Sequence, residues 1–245
     1  MIYLTGDTHC GLDMGKLSTE QLKKQGIELT EKDHLIITGD FGFPFLPSDI
    51  SEYEVSNGRE GEYSYHIKYL RERPYTILFI EGNHDNHDWW SRQEVTDMFG
   101  GKVQIHPHAT NVIHLMRGEM YMIEDRSFFT FGGAMSVDKP FRTEGVSWWS
   151  GEEASSEDMQ HARDVLEKNA YKADYIITHT LPHSIIAETP LLSHKKSSCK
   201  TAGFLDEILE RVTYDKWFCG HFHVDMTVPE HRINVLYNSI VSLKD

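Results

Sequence analysis

Long apolar runs are absent from this sequence. No stretch approaches the roughly 18–20 consecutive apolar residues of a membrane-spanning helix, so no membrane anchor is expected. Cysteine is scarce. Cys10, Cys199 and Cys219 form an odd set without a CxxC pair, which argues against a disulfide framework and suits a reducing compartment. A signal-peptide pattern is also missing: residues 2–5, IYLT, already read as a strand and Asp7 follows at once. The mature chain is therefore expected to start at its first residue, in the cytoplasm. Basic residues are outnumbered, 24 against 38 acidic, and the formal charge of -14 repels long polyanions. An extended nucleic-acid partner is not expected, although a small phosphorylated substrate stays compatible where local cations cancel the charge. No repeat, low-complexity tract or Pro/Ser-rich linker divides the chain, and 245 residues suit one domain, 1–245, with ample material for a core. The pattern carries no oligomerisation signal.

What the chain does contain is a series of short apolar runs: IYLTGD (2–7), HLIITGD (34–40), YTILFIEGN (75–83), SFFTFGGA (127–134), DYIITHT (174–180), KWFCGH (216–221) and NVLYNSIV (234–241). Several are continuously apolar, the mark of strands buried on both faces. Weaker strand candidates lie at 103–106, 111–115 and 120–125. Helical spacing falls between them, over 17–25, 62–73, 152–169 and 203–212. Ser150 with Glu153 offers a capping box for the third of these. Alternating strands and helices predict an α/β fold of sheets sandwiched by helices, with mixed strand directions. Residues 136–156, SVDKPFRTEGVSWWSGEEASS, are too polar for a core strand and too broken for a helix, and a loop of that length near a site is often functional.

Five of the runs end in groups that can ligate a metal: Asp7 and His9, Asp40, Asn83 with His84 and Asp85, His179, and His221 with His223. In open α/β sheets, ligands bind just beyond the carboxyl ends of strands, so five such ends can converge. In DTH and HFH the donors are separated by one residue and, in extended backbone, point the same way. Carboxylate and amide oxygens mixed with imidazoles, without cysteine, suit Mn, Fe, Zn, Ni or Co. The donors are too many for one ion and suit two, held about 3.5–4 Å apart by a bridging carboxylate. Any one of these residues alone is more often a cap or a satisfied polar group. Together, without cations, they would crowd charge at one edge at a cost of several kcal/mol.

The ordered series GDTH, GDFG, GNHD, THT and GHFH, running from residue 5 to residue 223, resembles the calcineurin-like metallophosphoesterase superfamily, and in particular a bacterial and phage phosphoesterase branch of it. The resemblance implies a four-layer αββα sandwich of two mixed β-sheets, with the site at the strand carboxyl ends and two divalent transition metals, Mn first among them. Carried over by motif, Asp7, His9 and His223 hold one metal, Asn83, His179 and His221 the other, and Asp40 bridges both. His84 is implied to protonate the leaving oxygen, with Asp85 orienting its ring. The implied reaction is hydrolysis of a small phosphomonoester or phosphodiester by a metal-bridging hydroxide.

Departures from the family pattern narrow this. GDFGFPF lacks the Arg that follows the second motif in protein serine/threonine phosphatases, and the third motif ends in Asp rather than Glu, so a phosphoprotein substrate is demoted. Two other readings stand beside the leading one: a nuclease acting on short single strands, and a non-catalytic protein-binding scaffold of the same fold. Arg142, in the long loop, could pair with a substrate phosphate. Trp148 and Trp149 are expected to pack that loop onto the domain, and Trp89 and Trp90 to anchor a helix. Cys10 is expected to be a small buried thiol, and Lys195, Lys196 and Lys200 to lie in a basic loop.

Overall fold

Continuous apolar runs arise here because each central strand faces apolar partners on both sides. The computed structural model describes residues 1–45, 62–191 and 198–243. Lys195, Lys196 and the Cys10 side chain lie outside what is described. In chain order the strands are β1 (Ile2–Thr5), β2 (His34–Ile37), β3 (Thr76–Phe79), β4 (Val95–Met98), β5 (Gly101–Ile105), β6 (Val112–Leu115), β7 (Met120–Ile123), β8 (Arg126–Phe131), β9 (Tyr175–Thr178), β10 (Lys216–Cys219), β11 (Met226–Val228), β12 (Ile233–Val235) and β13 (Val241–Leu243). The helices are α1 (Thr19–Lys24), α2 (Glu62–Arg71), α3 (His87–Trp90), α4 (Ser156–Lys168), α5 (His183–Glu188) and α6 (Lys200–Arg211).

One sheet runs β13-β1-β2-β3-β6-β5-β4 and the other β11-β12-β10-β9-β8-β7. The centre of each is parallel and its edges are antiparallel. Both sheets are therefore mixed. Side chains alternate as strand geometry requires. Leu35, Ile37, Ile77 and Phe79 pack against the layer holding α1, α2 and α3, while Ile36 and Leu78 face the second sheet. In the second sheet Ile176 and Trp217 meet α4, α5 and α6, and Ile177 and Phe218 face the first sheet. The result is the four-layer αββα sandwich.

Register decides where the strands end. Leu4, Ile36, Leu78 and Ile113 pair in sequence across four strands and all enter the layer between the sheets. Burying each such side chain contributes roughly 1.5–3 kcal/mol, so the relation between the sheets is set by core packing rather than by loops. The same register aligns Thr5 with Ile37 and Ile37 with Phe79. The chain beyond these residues leaves the sheet at one common level.

Three expectations shift. The run 234–241 is not one strand: β12 belongs to the second sheet and β13 to the first, and residues 236–240 cross between them. β4 and β11 were not visible as strands, because edge strands with exposed faces carry little apolar pattern. The cap of α4 is Ser155, whose capping box is closed by Asp158. Ser150 lies instead in a short 3-10 turn, and Glu153 accepts the Lys200 N–H at 2.7 Å, serving the start of α6. The loop 136–156 does pack down, with Trp148 and Trp149 buried, and Trp89 and Trp90 are buried in α3.

Candidate metal centre

Asp7 follows β1, Asp40 follows β2, Asn83 follows β3, His179 follows β9, and His221 with His223 follows β10. All five strands are parallel members of their sheets, so their carboxyl ends meet at one edge. Asp7 and Asp40 are both buried there, and ligand atoms of Asp7, His9, Asp40 and His223 all lie within 4.8 Å of one another.

The close approach explains the glycines. A side chain on Gly82 would strike the Asp40 carboxylate, and one on Gly220 would strike that of Asp7. These two glycines clear space for the acidic groups of other motifs, while Gly39 makes room for the His179 ring. Backbone amides then fix those groups. The His84 N–H donates to Asp40 Oδ1 at 2.6 Å, and the His221 N–H donates to Asp7 Oδ1 at 3.0 Å.

Asp40 is flanked on two sides. Its Oδ2 lies 3.1 Å from His9 Nε2, and its Oδ1 lies 3.3 Å from His179 Nε2. His179 Nε2 is also 3.0 Å from Asn83 Oδ1, and His223 Nε2 is 3.3 Å from Asp7 Oδ2. The His221 ring sits 4.9 Å from that of His179. The other nitrogen of each buried ring is held from behind. His9 Nδ1 pairs with Asp13 Oδ2 at 2.6 Å, and His179 Nδ1 donates to the Thr38 carbonyl at 2.9 Å. That leaves Nε2 of both rings facing the carboxylates, the arrangement that supports a metal-binding imidazole.

Electrostatics fit a cation. Burial opposes charge on His9 and His179, yet Asp40 and Asp7 overcome it and raise both rings to about 9. Burial likewise opposes an ionised Asp40, but the neighbouring His179 and His84 rings hold its carboxyl well below the usual range. Two buried carboxylates thus demand positive charge, and in the metal-free chain protons on His9 and His179 supply it. Oxygen and imidazole donors without thiolate suit a divalent transition metal.

Around this core the structure adds residues that the motifs did not reveal. Asn83 Nδ2 donates to Ser136 Oγ at 3.1 Å, and Ser136 Oγ donates to Glu152 at 2.5 Å, so the loop 136–156 aims the Asn83 oxygen inward. Behind Asp7, Lys16 Nζ donates to the carbonyls of Gly6, Asp7 and Tyr237. Burial lowers that ammonium to about 8. Behind Gly82, Glu81 pairs with Arg117 at 2.7 Å and His114 at 2.8 Å. Most of these partners lie far apart in sequence, and no local pattern marks them.

His84 reaches the open side of the centre. Its ring centroid is 5.6 Å from that of His9, and its Nε2 is 3.4 Å from an Arg142 terminal nitrogen. Burial and the nearby cations Arg142 and His9 lower its pKa against the pull of Asp40. Arg142 is held in place by both Asp138 oxygens, at 2.7 and 2.6 Å, and by the Ser147 carbonyl at 3.0 Å. The sequence expectation for Asp85 needs correction. Both of its oxygens accept backbone N–H groups, from Gly42 and Gly82 at 2.6 Å, so it ties the second motif loop to the third instead of orienting the His84 ring. Among the described residues the buried His84 Nδ1 has no hydrogen-bond partner.

Comparison with curated protein sequences finds no significant match. Among solved structures, the chain is similar to a provisionally named 5'-nucleotidase from Staphylococcus aureus in complex with alpha-ketoglutarate, at 12% identity and a TM-score of 0.47, covering 99% of this chain and 51% of that one. The chain thus spans about half the length of that protein. It is also similar to the phosphopantetheinyl hydrolase of Mycobacterium tuberculosis, at 13% identity and a TM-score of 0.45, covering 96% of this chain and 87% of that one. The sequence matches the family model of calcineurin-like phosphoesterases over residues 1–225. A match of that length places the protein in the calcineurin-like phosphoesterase family.

Proposed function

We propose that the chain, working as one unit, is a dinuclear phosphoesterase for a small phosphomonoester or phosphodiester. The observation that best supports two metals is the two-sided Asp40 carboxylate, with His9 at one oxygen and His179, itself 3.0 Å from the Asn83 side-chain oxygen, at the other. Asp7, His9 and His223 would hold one ion, Asn83, His179 and His221 the other, and Asp40 would bridge. Two divalent ions bound there, with Mn the first candidate, supply Lewis-acid charge for the phosphoryl oxygens and lower the pKa of water.

The chain itself supplies the substrate contacts. The Arg142 guanidinium, anchored on Asp138, is preorganised to donate to a phosphoryl oxygen on the His84 side. His84 Nε2 faces the same space and would carry the proton that the leaving oxygen takes up. Gly42 and Gly82, tied through Asp85, keep the loops bearing Asp40 and His84 in register.

The test is a hydrolysis panel on metal-reconstituted protein with Mn²⁺: p-nitrophenyl phosphate, bis-p-nitrophenyl phosphate, cyclic nucleotides and single-stranded DNA. Turnover of the small esters with two bound metals is the expected result. Activity confined to DNA would replace the small-ester reading with the nuclease, and no activity on any substrate would favour the scaffold.

A further inference from the structure

The crossing segment 236–240 runs over the metal edge and is pinned there on every side. Asp225 accepts the N–H groups of Tyr237 at 2.8 Å, Asn238 at 3.2 Å and Ser239 at 3.0 Å. Thr5 Oγ1 donates to the Ser239 carbonyl at 3.0 Å, and Lys16 Nζ donates to that of Tyr237 at 2.5 Å. A backbone held this firmly presents the Tyr237 side chain in one orientation.

That side chain touches one imidazole of one metal set and reaches the other through Asp13. Its ring stacks on His223, with centroids 4.9 Å apart and planes 14° from parallel. Its hydroxyl donates to Asp13 Oδ1 at 3.0 Å. The other oxygen of Asp13 is the 2.6 Å partner of His9 Nδ1. The His223 side chain is 50% exposed, and its described ring contacts are the stacked Tyr237 and the His9 ring set edge-to-face at 4.8 Å. His9 is turned by Asp13 so that Nε2 looks at Asp40.

We infer that Tyr237 and Asp13 form a positioning pair that orients His223 and His9 together and so sets the affinity of the metal position built on Asp7. The inference rests on the metal reading above. The described contacts of the pair fall on His223 and His9 rather than on Asn83 or His179, so its loss is expected to separate the two metal positions. A hydrogen-bonded carboxylate behind a metal-binding imidazole fixes the ring and raises its basicity, and removing such a partner costs about 10–100-fold in metal affinity.

The test titrates Mn²⁺ into the metal-free full chain by calorimetry and electron paramagnetic resonance, and records the metal-free melting temperature. Tyr237→Phe keeps the stacked ring and removes only the hydroxyl, and it is expected to weaken one of two Mn²⁺ sites about 10-fold. Asp13→Ala is expected to approach 100-fold at that same site. The second site and the metal-free melting temperature stay as in the wild type. Equal Mn²⁺ affinities in Tyr237→Phe and the wild type would overturn the inference. So would a parallel weakening of both sites accompanied by a lower metal-free melting temperature, which is the signature of a purely structural strut. A wild type that binds no Mn²⁺ would remove the metal reading itself, a distinct result. Should Asp13→Ala fail to fold, the Tyr237→Phe isotherm decides alone.

Discussion

His179 and His106 are equally buried, each with no exposed surface, yet one favours the charged ring and the other the neutral one. At the metal edge His179 faces Asp40 and Asp7 and is raised to about 9. His106 lies against Trp89 and Trp90, and burial with the neighbouring His108 lowers it to about 3. His87, half-buried with its ring on the Gly82 carbonyl, is lowered to about 4 by desolvation and Arg117. Burial alone therefore does not make a histidine neutral; the partners decide. Where two carboxylates share the pocket, a buried imidazole holds a proton that a cation can replace. Where no carboxylate outweighs burial, the same side chain serves as a neutral spacer. With 15 histidines in the chain, this distinction sets His9 and His179 apart from His87 and His106 better than their number does.

Removing the Asp40 charge should break the contrast outright. In Asp40→Asn, His9 and His179 lose the carboxylate that raises them and fall toward the behaviour of His106. Metal content after dialysis should drop at both positions together, with a loss of affinity larger than the roughly 10–100-fold that losing a ligand's supporting partner costs. Elemental analysis still finding two tightly held ions would end the bridging role.

His84 belongs to neither class, and its removal tests the open side of the centre. His84→Ala should lower turnover by about 10²–10⁴-fold while metal content is retained, as expected for a proton donor that is not a ligand. Loss of metal in that variant would reassign His84 to the ligand set.

The contrast can also be sharpened without mutation. A histidine charged at neutral pH must give up its proton to ligate a metal. Uptake of two ions near pH 7.5 should therefore release about two protons, one each from His9 and His179, read by calorimetry in buffers of different ionisation enthalpy. In the metal-free chain the sign runs the same way. Both rings have folded pKa values above the unfolded one, so their stabilising contribution is complete below about 6.5 and is lost as pH rises through about 9. Proton release near zero would contradict the charged state of the edge histidines.

Much of this centre was legible in the sequence because its parts are local. A strand, a glycine and one or two donors fit in six residues, and parallel register aligns the strand ends. The supporting partners were not legible. Asp13 and Tyr237 meet across 224 positions, and Ser136 meets Asn83 across 53. Nothing in local spacing reports such pairs. Asp85 shows the limit from the other direction: its place beside His84 in sequence suggested a ring partner, but two backbone amides had the stronger claim. The run 234–241 failed for a similar reason. Its apolar residues are buried, but by two different sheets, and apolar pattern cannot distinguish one strand from the ends of two. The α4 cap shows the weakness of short motifs: two Ser-x-x-acid patterns lie five residues apart, and only tertiary contacts chose between them.

The smallest predicted effect concerns the neutral class. His106 Nδ1 accepts the His108 N–H at 3.1 Å, and its ring packs on both tryptophans. Its folded pKa lies below the unfolded value, so the unfolded chain takes up a proton first as pH falls from about 6.5 toward 3, and stability drops over that window. His106→Asn keeps an acceptor for the His108 N–H but cannot titrate. It should reduce the acid-side slope of unfolding free energy by at most one proton, about 1.4 kcal/mol per pH unit. The smaller side chain also lowers stability uniformly, because it fills less of the space between Trp89 and Trp90. The uniform loss and the slope are separable in urea melts collected from pH 4 to 8. An unchanged slope would mean that His106 already protonates in the folded chain, and the two classes of buried histidine would then differ in degree rather than in kind.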